Sequence, residues 1–293
     1  MSNNAVSVLT LVRGRSDHLA ALAEGLRQQT LCPSELVVAY MQVQAPALPD
    51  DLPFAVRFVQ VPGEPMPLAA ARNAAANSAQ FRNLIFLDVD CIPSPTLVES
   101  LLFNMVNSGR CLLGEVRYLP ATVSRETIKR ASFEQLLGFS VVHPARPQVP
   151  GQGWCPEPNA RALWGLSFAL TREQYFGCGG MDERYVGYGG EETDFAEKLR
   201  VSGVTLGWCG QAMALHQYHR VCSPPLDRFD EILANAQRFY DRWGCWCLEY
   251  WLGHFVRLGL IRWSEGASEI VQLRQPAPAE VRACYQPPEV AFA

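Results

Sequence analysis

The chain of 293 residues is nearly without lysine: of its 25 basic residues only Lys129 and Lys198 are lysines. No G-x-x-x-x-G-K-[ST] loop can be written with those two, which excludes a P-loop nucleotide site. Phosphate recognition therefore falls to arginines, backbone amides or a metal ion. Excess positive charge is also missing, with a formal net charge of −4 and a pI near 5.8, which argues against a nucleic-acid partner. C-x-x-C is absent; the ten cysteines are irregularly spaced, with one C-x-C at Cys245 and Cys247. Structural zinc is not expected at such spacings. The opening MSNNAVSVLTLV carries no positively charged leader region, and no uninterrupted apolar run reaches membrane-spanning length. The expected location is cytoplasmic, with the inner face of the membrane as a second reading. The cysteines are accordingly expected to be reduced and partly buried rather than a disulfide framework.

What is present is ordinary for a soluble globular protein, 48% hydrophobic and 18% charged. The length suits one large α/β domain with an appendage, or two small domains. The stretch Leu84-Ile85-Phe86-Leu87-Asp88-Val89-Asp90-Cys91-Ile92-Pro93 organises the reading. Four apolar residues run into two carboxylates and stop at a proline, the pattern of a buried parallel strand. Strand alternation would send Asp88 and Asp90 to one side, at the carboxyl end where ligands of open α/β sheets bind. Two hard oxygen ligands there suit Mg²⁺ or Mn²⁺. A pair of aspartates that solvate a strand end remains the alternative.

Around it the chain alternates. Val6–Val12 reads as a strand, residues 16–29 as a helix and residues 35–40 as the next strand, a right-handed β-α-β unit. Arg13 and Arg15 lie between that first strand and its helix, a position suited to a diphosphate or to plain solvent exposure. Strands are expected at 55–61, 111–118, 163–170 and 205–208, and helices at 68–79 and 96–107. Residues 150–158, with Trp154 in their middle, read either as a mobile lid or as a passive connection. Glycines 187, 189 and 190 lead into Glu191, Glu192 and Asp194 at a helix start, where the dipole favours carboxylates and where a general base could sit. One histidine of the run Met213 to His219 could complete a site with the aspartates. Residues 228–263 are dense in aromatics, including Phe229, Phe239, Tyr240, Trp243, Trp246, Tyr250 and Trp251, and are expected to form one or two helices interrupted at Gly244, Gly253 and Gly259. These helices would pack on the main domain; an interfacial membrane helix, with Arg257 and Arg262 facing head groups, is the second reading. The tail after Gln272 is expected to be loosely ordered.

Four ordered blocks over residues 6–230 resemble GT-A fold glycosyltransferases of the family-2 type, with motifs similar to the β-1,4-galactosyltransferase-like group. They are Arg13-Gly14-Arg15 with His18; Asp88-Val89-Asp90 with Ile92-Pro93; Trp164-Gly165-Leu166-Ser167 through Gly187-Tyr188-Gly189-Gly190-Glu191-Glu192-Thr193-Asp194; and Met213-Ala214-Leu215-His216 followed by Arg228-Phe229-Asp230. The resemblance implies a mostly parallel Rossmann-like sheet with flanking helices in residues 1–227, and a helical aromatic extension in residues 228–293. It implies Asp90, Met213 and His216 on a divalent cation, with Mn²⁺ favoured over Mg²⁺ because methionine is a soft ligand. Arg13, Arg15, Arg72, Asp88, Trp164 and Gly165 would serve the donor, and Tyr188, Gly190, Glu191 and Asp194 the acceptor. Glu192 would be the general base.

The implied reaction is inverting transfer of a hexose from a nucleotide sugar, a UDP-hexose of galactose type favoured, to a glycan, lipid-linked or small-molecule hydroxyl. Ala39-Tyr40 stands where many family-2 members carry nucleotide-contacting aspartates, which keeps a non-catalytic nucleotide-sugar or glycan-binding module as an alternative. A metal-dependent nucleotidyltransferase is the third reading; it gives no reason for the Gly-Gly-Glu-Glu turn.

Overall fold

The computed structural model describes residues 5–288 and residue 290. The first four residues of the stretch read above for a leader, and residues 289 and 291–293 of the tail, lie outside the described residues. Along the chain come β1 (Val6–Val12), α1 (Ser16–Arg27), β2 (Glu35–Tyr40), β3 (Ala55–Gln60), α2 (Leu68–Ser78), β4 (Asn83–Leu87), β5 (Cys91–Pro93), α3 (Leu97–Ser108) and β6 (Cys111–Tyr118). Two short helices, α4 (Arg125–Arg130) and α5 (Phe133–Leu137), precede β7 (Val141–Val142), β8 (Trp154–Glu157), β9 (Ser167–Thr171), α6 (Arg172–Gly177), α7 (Glu191–Val201) and β10 (Leu206–His216). The extension holds α8 (Phe229–Trp243), α9 (Glu249–Arg257), the small pair β11 (Ile261–Arg262) and β12 (Val271–Gln272), and α10 (Pro278–Ala283).

The main sheet runs β3-β2-β1-β4-β9-β6-β10-β5, with β7 on β6 and β8 on β10. β1, β2, β3 and β4 are mutually parallel, as are β6 and β10; β9 is antiparallel to both β4 and β6. Both faces are covered, so central strands are apolar at nearly every position and β4 is buried throughout. α1 buries Leu19, Leu22, Ala23 and Leu26 at helical spacing on one face, together with α3. On the other, the alanines of α2 let its backbone lie close to the sheet. The extension has its own core, in which Phe229, Ile232, Ala236 and Phe239 of α8 meet Leu252 and Phe255 of α9, and Tyr185 joins from the main domain.

Several expectations are corrected. Residues 84–93 are not one strand: β4 stops at Leu87, a turn follows, and β5 pairs with β10 instead. β10 reaches His216, far beyond residue 208, because a bulge between Cys209 and Met213 lets it pair first with β8 and then with β5. Trp154 is pinned opposite Cys209 on β10, under the Arg110 guanidinium, so residues 154–157 are built into the sheet as β8. Gly244 ends α8 and Gly259 follows α9, but Gly253 sits inside α9. The tail carries α10 and is tied by a Cys222–Cys284 disulfide, a pairing 62 residues apart that spacing could not reveal; the other eight cysteines are free. No helix among the described residues is long and apolar enough to cross a membrane.

Candidate active site

The end of β4 builds one pole. Asp88-Val89-Asp90 forms a turn closed by the Cys91 N–H donating to the Asp88 carbonyl at 2.9 Å. Strand alternation therefore does not apply, and the two aspartates differ: Asp88 is half-buried and Asp90 completely buried. The β5–β10 register sets His216 opposite Cys91, beside Asp90. His219 Nε2 stands 3.6 Å from Asp90 Oδ2, His18 Nδ1 hydrogen-bonds Oδ1, and Arg15 ion-pairs with Oδ2. One ligand atom each from Asp90, His216 and His219 lies within 4.8 Å of the others. His216 Nδ1 is buried with no hydrogen-bond partner among the described residues, an orphan that a cation would satisfy. Burial, His219, Arg15 and His18 hold the His216 imidazole far below its usual range, in the neutral form that ligates metals. Burial and Arg15 push His18 down to about 4.

Met213 does not join this group. It lies three strand positions before His216, about 10 Å back along β10, and alternation puts its side chain on the other face. Its place is taken by His219, which follows β10 and returns to Asp90. Arg13 likewise stays away, pairing with Glu64 across the surface at 3.0 Å.

The second pole is built by the turn before α7. Gly190 takes the left-handed conformation (φ +90°) that starts the helix, leaving Glu191 and Glu192 in its first turn. Arg72, buried on α2, donates to Glu191 at 3.2 Å and to Glu192 at 2.5 Å. Its guanidinium pairs with these carboxylates, at the pole opposite Asp90. Gly165 explains the close approach: a side-chain carbon there would lie 2.0 Å from Glu192 Oε1 and 2.8 Å from Arg72 Nη2. Gly165 thus makes room for Glu192. A quarter of the Glu192 side chain is exposed, whereas Glu191 is sealed in. Burial pushes the Glu192 carboxyl above its ordinary range; Arg72 opposes this, and Glu191 and Asp88 add to it.

Asp194 does not face an acceptor. It is completely buried, accepts from Trp243 Nε1 at 2.9 Å and pairs with Arg242 at 3.3 Å, so it anchors α8 to α7. The extension also grips the turn elsewhere: Glu231 accepts from the Tyr188 N–H at 2.8 Å, and Asn235 donates to Val186 O at 3.1 Å.

Between the poles lies a chain of rings. Centroids from Trp164 through His143, Tyr118 and His216 to His219 are spaced 5.0, 5.8, 5.0 and 5.2 Å. Arg146 lies 3.3 Å over the Trp164 ring and 5.2 Å from that of Trp208, and donates to Ala162 O at 2.6 Å. Burial pulls it down to about 10, still a cation at neutral pH, with Glu192 among its acidic neighbours. Nothing in the Pro144-Ala145-Arg146-Pro147 context singles it out in the sequence. His219 had a signal, the H-x-x-H spacing with His216.

Residues 151–221 match the family model described as the N-terminal domain of galactosyltransferase. Among solved structures, the crystal structure of GalNAc-T7 with UDP, GalNAc and Mn²⁺ is similar at a TM-score of 0.55 and 16% identity, over 73% of this chain and 43% of that one. S. aureus TarS 1-349 gives 0.54 at 13% identity, over 79% and 64%. A second S. aureus TarS structure gives 0.53 at 13%, over 80% and 40%. The chain therefore spans less than two thirds of the length of these neighbours. No curated protein matches it by sequence. Its fold is the GT-A fold of glycosyltransferases.

Proposed function

We propose that this GT-A chain is an inverting, metal-dependent glycosyltransferase that moves a hexose from a nucleotide sugar to a hydroxyl acceptor, with a UDP-hexose of galactose type favoured. The galactosyltransferase match over residues 151–221, and a neighbour whose structure holds UDP, GalNAc and Mn²⁺, support the donor class. The observation that carries the reading is the opposite polarity of the two poles. One carboxylate, Asp90, is surrounded by an arginine and three histidines, while two carboxylates, Glu191 and Glu192, share one arginine.

That polarity is what transfer requires. Asp90, His216 and His219 would hold a divalent cation, and a carboxylate with two imidazoles favours Mn²⁺ over Mg²⁺. A cation there supplies Lewis-acid stabilisation of the diphosphate leaving group. Arg15 adds positive charge at the same end. Asp88 interacts electrostatically with both Arg15 and Arg72 and would accept hydrogen bonds from the donor sugar. At the other pole Glu192 takes the acceptor hydroxyl proton while that oxygen attacks the anomeric carbon and the bond to the diphosphate oxygen breaks, its electron pair leaving with the diphosphate. Attack from the side opposite the leaving group inverts the anomeric configuration. Arg72 favours the ionised form of Glu192, against the burial that opposes it, and orients the carboxylate for the next cycle.

The test is release of UDP from UDP-galactose, UDP-glucose and UDP-N-acetylgalactosamine with Mn²⁺ and a panel of hydroxyl acceptors. Metal-dependent, acceptor-stimulated release is expected with at least one donor; none with any pair contradicts the proposal.

A further inference from the structure

We infer that the C-terminal extension completes the acceptor site: Trp251 of α9 and Tyr188 form a stacking platform for the pyranose ring of a saccharide acceptor, an inference that rests on the transferase reading above. The two rings stack with centroids 5.6 Å apart and an interplanar angle of 29°. Trp251 also lies against the turn itself, since a side-chain carbon added at Gly189 would come within 3.6 Å of its ring.

Tyr188 is 40% exposed, yet its hydroxyl end interacts electrostatically with Glu192, Glu191 and Asp88. A half-exposed phenol on the turn that leads into the carboxylates is an amphipathic placement suited to holding one substrate across the boundary. A pyranose offers such a surface a face of C–H groups, which the negative face of an aromatic ring attracts, and leaves its hydroxyls pointing outward. Tyr188 lies on the glycine turn that leads into Glu191 and Glu192, so the platform adjoins the Glu192 pole.

The position of Trp251 is built into the extension. Leu248 holds a left-handed conformation (φ +61°) at the start of α9, one that a non-glycine residue seldom adopts. Leu252 and Phe255 fix the helix by burial, and Glu249 pairs with Arg161 at 2.7 Å. The extension's other indoles are spent on packing within it or on bonding to α7: Trp246 stacks on Tyr240 and meets Trp263 edge-on, and Trp243 is bonded to Asp194. Trp251 is the indole that meets the Gly-Tyr-Gly-Gly turn.

Saturation-transfer NMR on the intact chain, with cellobiose, lactose, maltose and N,N′-diacetylchitobiose against sorbitol as a polyol without a ring, tests this directly. At least one disaccharide should make contact through its axial C–H protons, and sorbitol should make none. Calorimetry should then show binding weakened about tenfold in Trp251→Ala and recovered in Trp251→Phe, the loss expected for one stacking partner. Should Trp251→Ala not fold, the wild-type proton contacts decide alone. Contact by none of the disaccharides, equal contact by sorbitol, unchanged binding in Trp251→Ala, or competition by UDP for the platform overturns the inference. UDP titrated with Mn²⁺ into the same wild-type protein separates the two readings. UDP binding without disaccharide binding sinks the platform alone; disaccharide binding without UDP binding sinks the donor reading.

Discussion

The two poles of the site use the same residue types in inverse proportion. Around Asp90 a single buried carboxylate is outnumbered by Arg15, His18, His216 and His219; around Arg72 a single buried guanidinium is outnumbered by Glu191 and Glu192. The first arrangement has surplus capacity for negative charge, the second for a proton. Their construction differs as well. The Asp90 pole is made where the sheet's own strands end, β1, β4 and β10. The Glu192 pole is a glycine turn that depends on α2 beneath and on the extension behind. In the proposed mechanism charge neutralisation would sit on the sheet, and the base on a turn that a separate core holds in place.

The sharpest break in that comparison is Glu192→Gln. It removes the proposed proton acceptor and nothing at the other pole, so turnover should fall by about 10²–10⁴-fold with UDP binding kept; near-normal turnover removes Glu192 from the mechanism. Arg72→Gln comes next. It leaves two carboxylates without their cation and should lower stability by about 3–5 kcal/mol, read as a shift in the urea midpoint. The same variant carries a pH signature. With Glu192 as the proposed base, activity should require its ionised form and fall as pH drops through its pKa, which burial holds above the ordinary glutamate range. Arg72 opposes that rise, so its removal should move the acid limb of the kcat/KM profile to higher pH, and a limb that stays or moves down contradicts the pairing. A smaller effect is expected from Asp194→Asn, about 1–3 kcal/mol of stability with metal-dependent UDP binding intact. If that variant instead loses substrate affinity at full stability, Asp194 belongs to the site after all. Smallest is Met213→Leu, a swap of similar volume that should leave Mn²⁺ affinity unchanged; a marked loss would return Met213 to the cation.

How far the sequence carried this picture depended on whether an interaction was local. Val6 to Tyr40 was legible because each strand and helix declared itself by period, and the burial of β1, β2 and α1 follows that pattern. The ordered blocks around Asp90 and Glu192 were legible as motifs. Leu84–Pro93 misled because four apolar residues say nothing of where pairing stops; β5 is a strand only because β10 passes beside it. Met213 and His216 looked equivalent because a three-residue spacing carries no side until the backbone is known to be extended. Glu191, Glu192 and Asp194 looked like one acidic cluster, but helix geometry sends Asp194 towards Trp243 while Arg72 claims the other two. Arg146, the Cys222–Cys284 bond and the Tyr188–Trp251 stack join distant segments and leave no local trace.

The division of labour between the poles is the central claim, and one calorimetric comparison tests it most directly: UDP titrated with and without Mn²⁺ into Asp90→Asn and Glu192→Gln, side by side with the wild-type chain. Metal-enhanced UDP binding should vanish in Asp90→Asn and persist in Glu192→Gln. Equal loss in both, or persistence in Asp90→Asn, would contradict it.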